Sequence, residues 1–151
     1  GLRTVTMGGE VRVHERLAMF DPSGELPARS AEIWTIVQPD AARIARAYWE
    51  RYARAPELDR PISPAKMDGL VERLVPYLQA RMGRIADDDW VDQVGQFVSA
   101  ASTAGVSPTS LFAGIAAATE EAQRLLEAAV GAEPVRLAAL TRWLHLASML
   151  E

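Results

Sequence analysis

Residues 107–134 read SPTSLFAGIAAATEEAQRLLEAAVGAEP. Ser107-Pro108 opens a helix: a serine before the first turn can accept a backbone N–H, and proline is tolerated where the N–H would be unpaired anyway. Gly131 closes the run, and Glu133-Pro134 opens another that is expected to reach Glu151. The Ala-rich stretch between Ala113 and Ala129 suits close helix packing. Two helices in immediate succession, with no period-2 alternation, point to an all-α chain.

The same punctuation divides the rest. Residues 1–13 hold Gly8-Gly9 and a Val/Thr alternation, and are expected to be irregular. His14–Phe20 forms a short helix ended by Asp21-Pro22-Ser23-Gly24, and Ala28–Val37 forms the next. Pro39-Asp40 suits the first turn of a helix running to about Ala55, with Ile44, Ala47, Tyr48, Trp49 and Tyr52 at three- and four-residue spacing. Ser63-Pro64 starts a helix whose stripe is Leu70, Leu74, Tyr77, Leu78 and Met82. Pro76 lies inside it and should kink it. Asp87-Asp88-Asp89 begins a helix ending near Thr103. The expectation is a single all-α domain over residues 14–151, with about seven or eight helices. Gln93–Thr119, the longest uncharged stretch, should form two buried helices broken at Val106-Ser107-Pro108. Val135, Leu137, Leu140, Trp143, Leu144, Leu146, Met149 and Leu150 cover more than one face of the last helix. Such a helix is fully buried or sits at an interface.

Composition excludes several chemistries. The 151 residues carry 16 Lys+Arg and 20 Asp+Glu, a formal charge of −4, which disfavours binding to a phosphate backbone. With no Cys, there can be no disulfide, thiolate metal site or Cys nucleophile. Gly1–Glu10 has no apolar core flanked by basic residues, as a signal peptide would, and no stretch suits a membrane span. A cytoplasmic protein is expected. His14 and His145 are the only imidazoles. His145, in Trp143-Leu144-His145-Leu146, reads as packing, and His14 as surface. The Asp87–Asp89 run reads as acids at a helix start rather than a cation site. Glu120-Glu121 reads as solvated surface, because adjacent helical side chains diverge by about 100°. No phosphate loop or hydrolase motif occurs, and no catalytic set can be named.

Several stretches together resemble the sensor globins of bacterial globin-coupled sensors. Ile44-Ala45-Arg46-Ala47-Tyr48-Trp49-Glu50-Arg51-Tyr52, closed by Ala55-Pro56-Glu57, is similar to the family's helix B. Trp90-Val91-Asp92, then Gly105-Val106-Ser107-Pro108 and Ser110-Leu111, resemble the helix F to helix G region. Residues 139–151 resemble the end of helix H. The match spans about residues 15–151.

Two departures bear on what the resemblance implies. Counting back four residues from Gly105, the family's proximal-His position holds Ala101. A methyl group cannot ligate iron. The distal Tyr position holds Trp49, which is bulkier and only donates. The resemblance therefore implies a globin-like fold that has given up haem, so no cofactor is expected. It also implies a regulatory rather than catalytic domain, excised from a longer signalling protein. The attached output domain would be a diguanylate cyclase, histidine kinase or chemotaxis transducer. The family pairs its last two helices in a homodimer, which implicates Leu111, Ile115, Ala122, Leu126, Leu140, Trp143, Leu144 and Leu150, with Trp143 and Leu144 as anchors. As an alternative, a reduced pocket at Trp49, Tyr77, Phe97, Ala101 and Phe112 would take a small apolar ligand. A third reading is a haem gas sensor using His145, His14, a Met or a Tyr as ligand. No nucleic-acid or membrane partner is expected.

Overall fold

Three side chains start three of the helices. Lys66 N–H donates to Ser63 Oγ (3.2 Å), Trp90 N–H to Asp87 Oδ1 (2.9 Å) and Ser110 N–H to Ser107 Oγ (3.1 Å). Each cap satisfies a donor that the helix cannot, and contributes about 1 kcal/mol. These contacts come from a computed structural model, which describes residues 15, 17–58, 60–85 and 87–149, with 88 and 89 described by backbone alone.

Six helices follow in order: α1 (Leu26–Val37), α2 (Ala41–Tyr52), α3 (Pro64–Leu78), α4 (Asp88–Thr103), α5 (Pro108–Val130) and α6 (Pro134–Ser148). Residues 17–20 are also helical, within the expected first helix. No strand occurs among the described residues, so the chain is all-α. The expected irregular segment 1–13 lies outside the described residues. No helix among them is long and apolar enough to cross a membrane.

Boundaries shift for identifiable reasons. α1 starts at Leu26 rather than Ala28, because buried Asp21 accepts from the N–H groups of Glu25 (3.0 Å) and Leu26 (2.8 Å). Pro39 does not open α2 directly; Gln38–Asp40 forms a 3-10 turn between α1 and α2. α2 stops at Tyr52, short of the expected Ala55. α3 runs through Pro76, and the departure from α geometry falls just beyond it, in a π-helical turn over Gln79–Gly83. α4 ends on Gly105 at φ +76°, where Gly105 N–H donates to Ser102 O and Val106 N–H to Ala101 O. Paired bonds of this kind need a left-handed residue, which glycine supplies without strain.

α2 lies along α5, with α3 on its other flank, and α6 packs on α5 and α1. Ile44, Ala45 and Tyr48 from α2, Leu125 and Leu126 from α5 and Leu140, Trp143 and Leu144 from α6 meet in one core with Leu26, Ile33 and Val37 of α1. Two expectations about burial fail. α4 is not a buried helix: it meets mainly the π turn and α3, and Gln96, Val98, Ser99 and Ala100 are exposed. The last helix buries a single stripe, while Ala138, Ala139, Arg142 and His145 face solvent and Val135 is 86% exposed. Its apolar residues outnumber the positions that one side of a two-layer contact can cover.

Two close contacts order the packing. A Cβ on Gly114 would lie 2.5 Å from Tyr48 Cε2, so the phenol ring rests directly on the α5 backbone. The Glu57 carboxylate ties the loop after α2 to the start of α5, accepting from Ser107 N–H (3.2 Å) and Oγ–H (3.0 Å). Hydrogen bonds from Ser110, its own backbone and Ser107 hold the Glu57 carboxyl down to about 2, against an opposing effect of burial.

Gly114→Ala is expected to destabilise by about 1–3 kcal/mol through overpacking against Tyr48, read as a lower midpoint in urea. For Glu57, a depressed pKa in the folded state stabilises above the ordinary value of 4.5 and loses that effect as pH falls toward about 2. The stability gap between the wild type and Glu57→Gln should therefore be full near neutral pH and close on acidification. A gap independent of pH would contradict the assignment.

Candidate functional site

Rings from three helices converge between α2 and α4. Tyr77 of α3 stacks on Phe97 of α4 at 4.4 Å between centroids, and Phe97 forms a T-shaped pair with Tyr48 of α2 at 5.8 Å. Tyr48 is edge-on to Trp49 (5.0 Å), and Trp49 to Tyr52 (5.4 Å). Such geometries suit the aromatic quadrupole and add to simple burial. Burial pushes the Tyr48 phenol up, with Tyr52 adding to it. Burial also raises Tyr77, partly offset by the cationic Arg81.

Beside these rings lies a cavity of about 50 Å³, lined mainly by apolar groups from Ile33, Ile44, Tyr48, Leu74, Tyr77, Phe97, Ile115, Ala118 and Leu144. Its polar edge is made by Ser30, Arg81, Thr119 and Ser148. Arg81 donates to Tyr77 Oη (3.4 Å) and to the Ala147 carbonyl (3.2 Å). Burial lowers the Arg81 pKa, and Tyr77 opposes that shift. Small-molecule pockets typically run from about 300 Å³ upward, so this space suits only a compact ligand. Haem does not fit it.

The expected pocket is only partly assembled. Tyr77 and Phe97 line the cavity; Trp49, Ala101 and Phe112 do not. Trp49 is half-buried against the core, one position round the helix from Tyr48, and its Nε1 is buried without a partner. Ala101 sits in the last turn of α4, where its carbonyl serves the Gly105 turn. Phe112 points outward, 58% exposed. The sequence pattern missed Tyr48, because adjacent aromatics at 48 and 49 both fit the apolar stripe. The Ile44–Tyr48 spacing of four carried the signal. Ser30 and Arg81 had no such signal, being polar residues on elements whose facing partners are distant in sequence.

Of the residues expected at a dimer face, Ala122, Leu126, Leu140, Trp143 and Leu144 are buried within the chain. Leu111 and Ile115 are half-buried, and Leu150 lies outside the described residues. The outer side of α5 and α6 instead carries a shallow groove bordered by Phe112, Ala116, Gln123, His145 and Met149. Met149 is 59% exposed. His145 sits on this outer face, its Nδ1 donating to the Thr141 carbonyl at 2.8 Å, and His14 lies outside the described residues.

The acidic residues read as surface find basic partners. Glu121 bridges Arg43 (2.8 Å) and Arg124 (2.6 Å), and Glu120 meets Arg51 (3.5 Å), clipping α2 to α5. Asp87 is used as a helix cap. Among the described residues no three His, Asp or Glu side chains converge as a metal site would require. No protein-family model matches the chain, and no curated protein or solved structure is significantly similar to it.

Proposed function

We propose that the chain is a regulatory and dimerisation domain of sensor-globin type that works without haem, within a bacterial signalling protein. The observation that carries this reading is the filled interior. Rings from Tyr48, Tyr77 and Phe97 occupy the space between α2, α3 and α4 and leave about 50 Å³. Ala101, at the position where the resemblance would place an iron ligand, offers a methyl group away from that space. The all-helical architecture and the order of the sequence motifs support the same reading.

The proposed partner is a second copy of this chain, seated on the outer face of α5 and α6. A two-fold contact uses the same patch on both copies. On α5, Ala116, Glu120, Arg124 and Ala128 are all exposed at four-residue spacing. In an antiparallel pair about an axis near residue 122, Glu120 of one copy falls opposite Arg124 of the other, and Ala116 opposite Ala128. Phe112 and Met149 supply apolar area at the groove. Signal would leave through α6 toward an attached output domain when that contact shifts.

A second reading, a sensor of a compact apolar ligand, is favoured by the apolar lining of the cavity. Xenon binding under pressure, seen as shifts confined to the methyl groups of Ile44, Ile115 and Leu144, is its expected signature.

Titration of the purified chain with haemin should give no sharp, saturable Soret band. A stoichiometric band would overturn the haem-free assignment and return a gas sensor to first place. Sedimentation at micromolar concentration should show a dimer, which Phe112→Asp combined with Met149→Asp should convert to a monomer with an unchanged melting temperature. A wild-type monomer would refute the dimer.

A further inference from the structure

The π turn at Gln79–Gly83 joins the cavity to the end of the last helix. π geometry is rare, and single π turns recur at sites where a helix must do something besides pack. Two contacts from α1 hold this one. Ser30 Oγ donates to the Met82 carbonyl at 2.5 Å, and Gly83 lies so close to Trp34 that an added Cβ would be 2.9 Å from Cδ1. In this register Arg81 reaches across the interior and donates to the Ala147 carbonyl. That carbonyl is one of the last four of α6, which a helix leaves short of internal donors. A cation there is also favoured by the helix dipole. Beside it, the Ser148 hydroxyl donates to Leu144 O (2.9 Å) and lies 3.1 Å from the Thr119 hydroxyl. Arg81, Met82, Ala147 and Ser148 all line the cavity.

We propose that the π turn is a two-register latch on α6: the register seen here places Arg81 on the Ala147 carbonyl, and a one-residue shift to α geometry withdraws Arg81 and frees the end of α6. A shift of one residue turns a helical side chain by about 100°, enough to carry the guanidinium off the carbonyl. The Ser30 contact biases the equilibrium toward the latched register without any hydrogen bond of its own to α6. Whatever enters or distorts the cavity presses on both halves of the latch at once. The purpose of the latch rests on the proposed regulatory function, since α6 is the exit toward the output domain. Its mechanics do not, and they are read in the 151-residue chain whatever its haem binding or oligomeric state.

The test is amide hydrogen exchange by mass spectrometry on the wild type, Arg81→Met and Ser30→Ala. Met keeps length and apolar volume while removing the donors to Tyr77 and Ala147. In R81M, amides of residues 145–149 are expected to exchange roughly tenfold faster, while those of residues 122–130 in the middle of the core stay as in the wild type. S30A should loosen the same amides, although Ser30 bonds only to the π turn. Unchanged exchange at 145–149 in S30A overturns the latch, as does a uniform rise across both segments in R81M, which would mark Arg81 as general core support. If R81M does not fold, S30A alone decides, because loss of one hydroxyl leaves the packing volume nearly intact.

Discussion

The rest of the structure depends on how closely α2 can approach α5. At Gly114 the helix surface is bare backbone, and the Tyr48 ring lies against it. Nothing larger than hydrogen could stand there without moving the ring. Held against α5, Tyr48 also meets Phe97 in a T-shaped pair, and Phe97 in turn stacks on Tyr77. That chain of rings, together with the buried Trp90 and the half-buried Val91 and Val94, attaches α4 to the body of the molecule. The same approach brings Arg43 and Arg51 of α2 against Glu121 and Glu120 of α5. Those exposed pairs follow from the packing and add little to it, since surface ion pairs are worth at most about 1 kcal/mol.

Close packing of rings also sets the scale of what the interior can accept. A space of about 50 Å³, with Arg81, Ser30, Thr119 and Ser148 at its edge, has room only for a compact guest. The π turn and the end of α6 both contribute to its wall, through Arg81, Met82, Ala147 and Ser148. Interiors respond to a displaced wall by switching between discrete packings rather than by deforming smoothly. In this arrangement the core and the last turn of α6 share a wall, because Leu144, Ala147 and Ser148 line the same space as Tyr48, Tyr77 and Phe97.

Much of the fold was legible in the residue pattern. Ser63, Asp87 and Ser107 cap the helices that their positions announced, and Gly105 takes the left-handed turn that separates α4 from α5. These are local effects, decided within four or five residues. The candidate pocket was legible only in part. Tyr77 and Phe97 line the cavity as expected, whereas Trp49, Ala101 and Phe112 do not. Phe112 looked like pocket material because it is large and apolar, yet its helix turns it outward. Trp143 and Leu144 were expected as interface anchors from the resemblance, and both are buried within the chain.

By itself, then, the amino-acid order determined the helical class, the capped starts at Ser63, Asp87 and Ser107, and which chemistries are absent for want of Cys. Those follow from short-range hydrogen bonding, backbone freedom and composition. Which of two neighbouring aromatics faces inward was decided by tertiary structure, as was which apolar residues, Phe112 and Met149 among them, stay exposed. So were the widening of the helix after Pro76 into a π turn and the reach of Arg81 across the interior to Ala147. The physical reason is that each of these depends on the angle and distance between helices far apart in the chain. A single residue of register or an ångström of approach changes which side chains meet, and no local spacing records it.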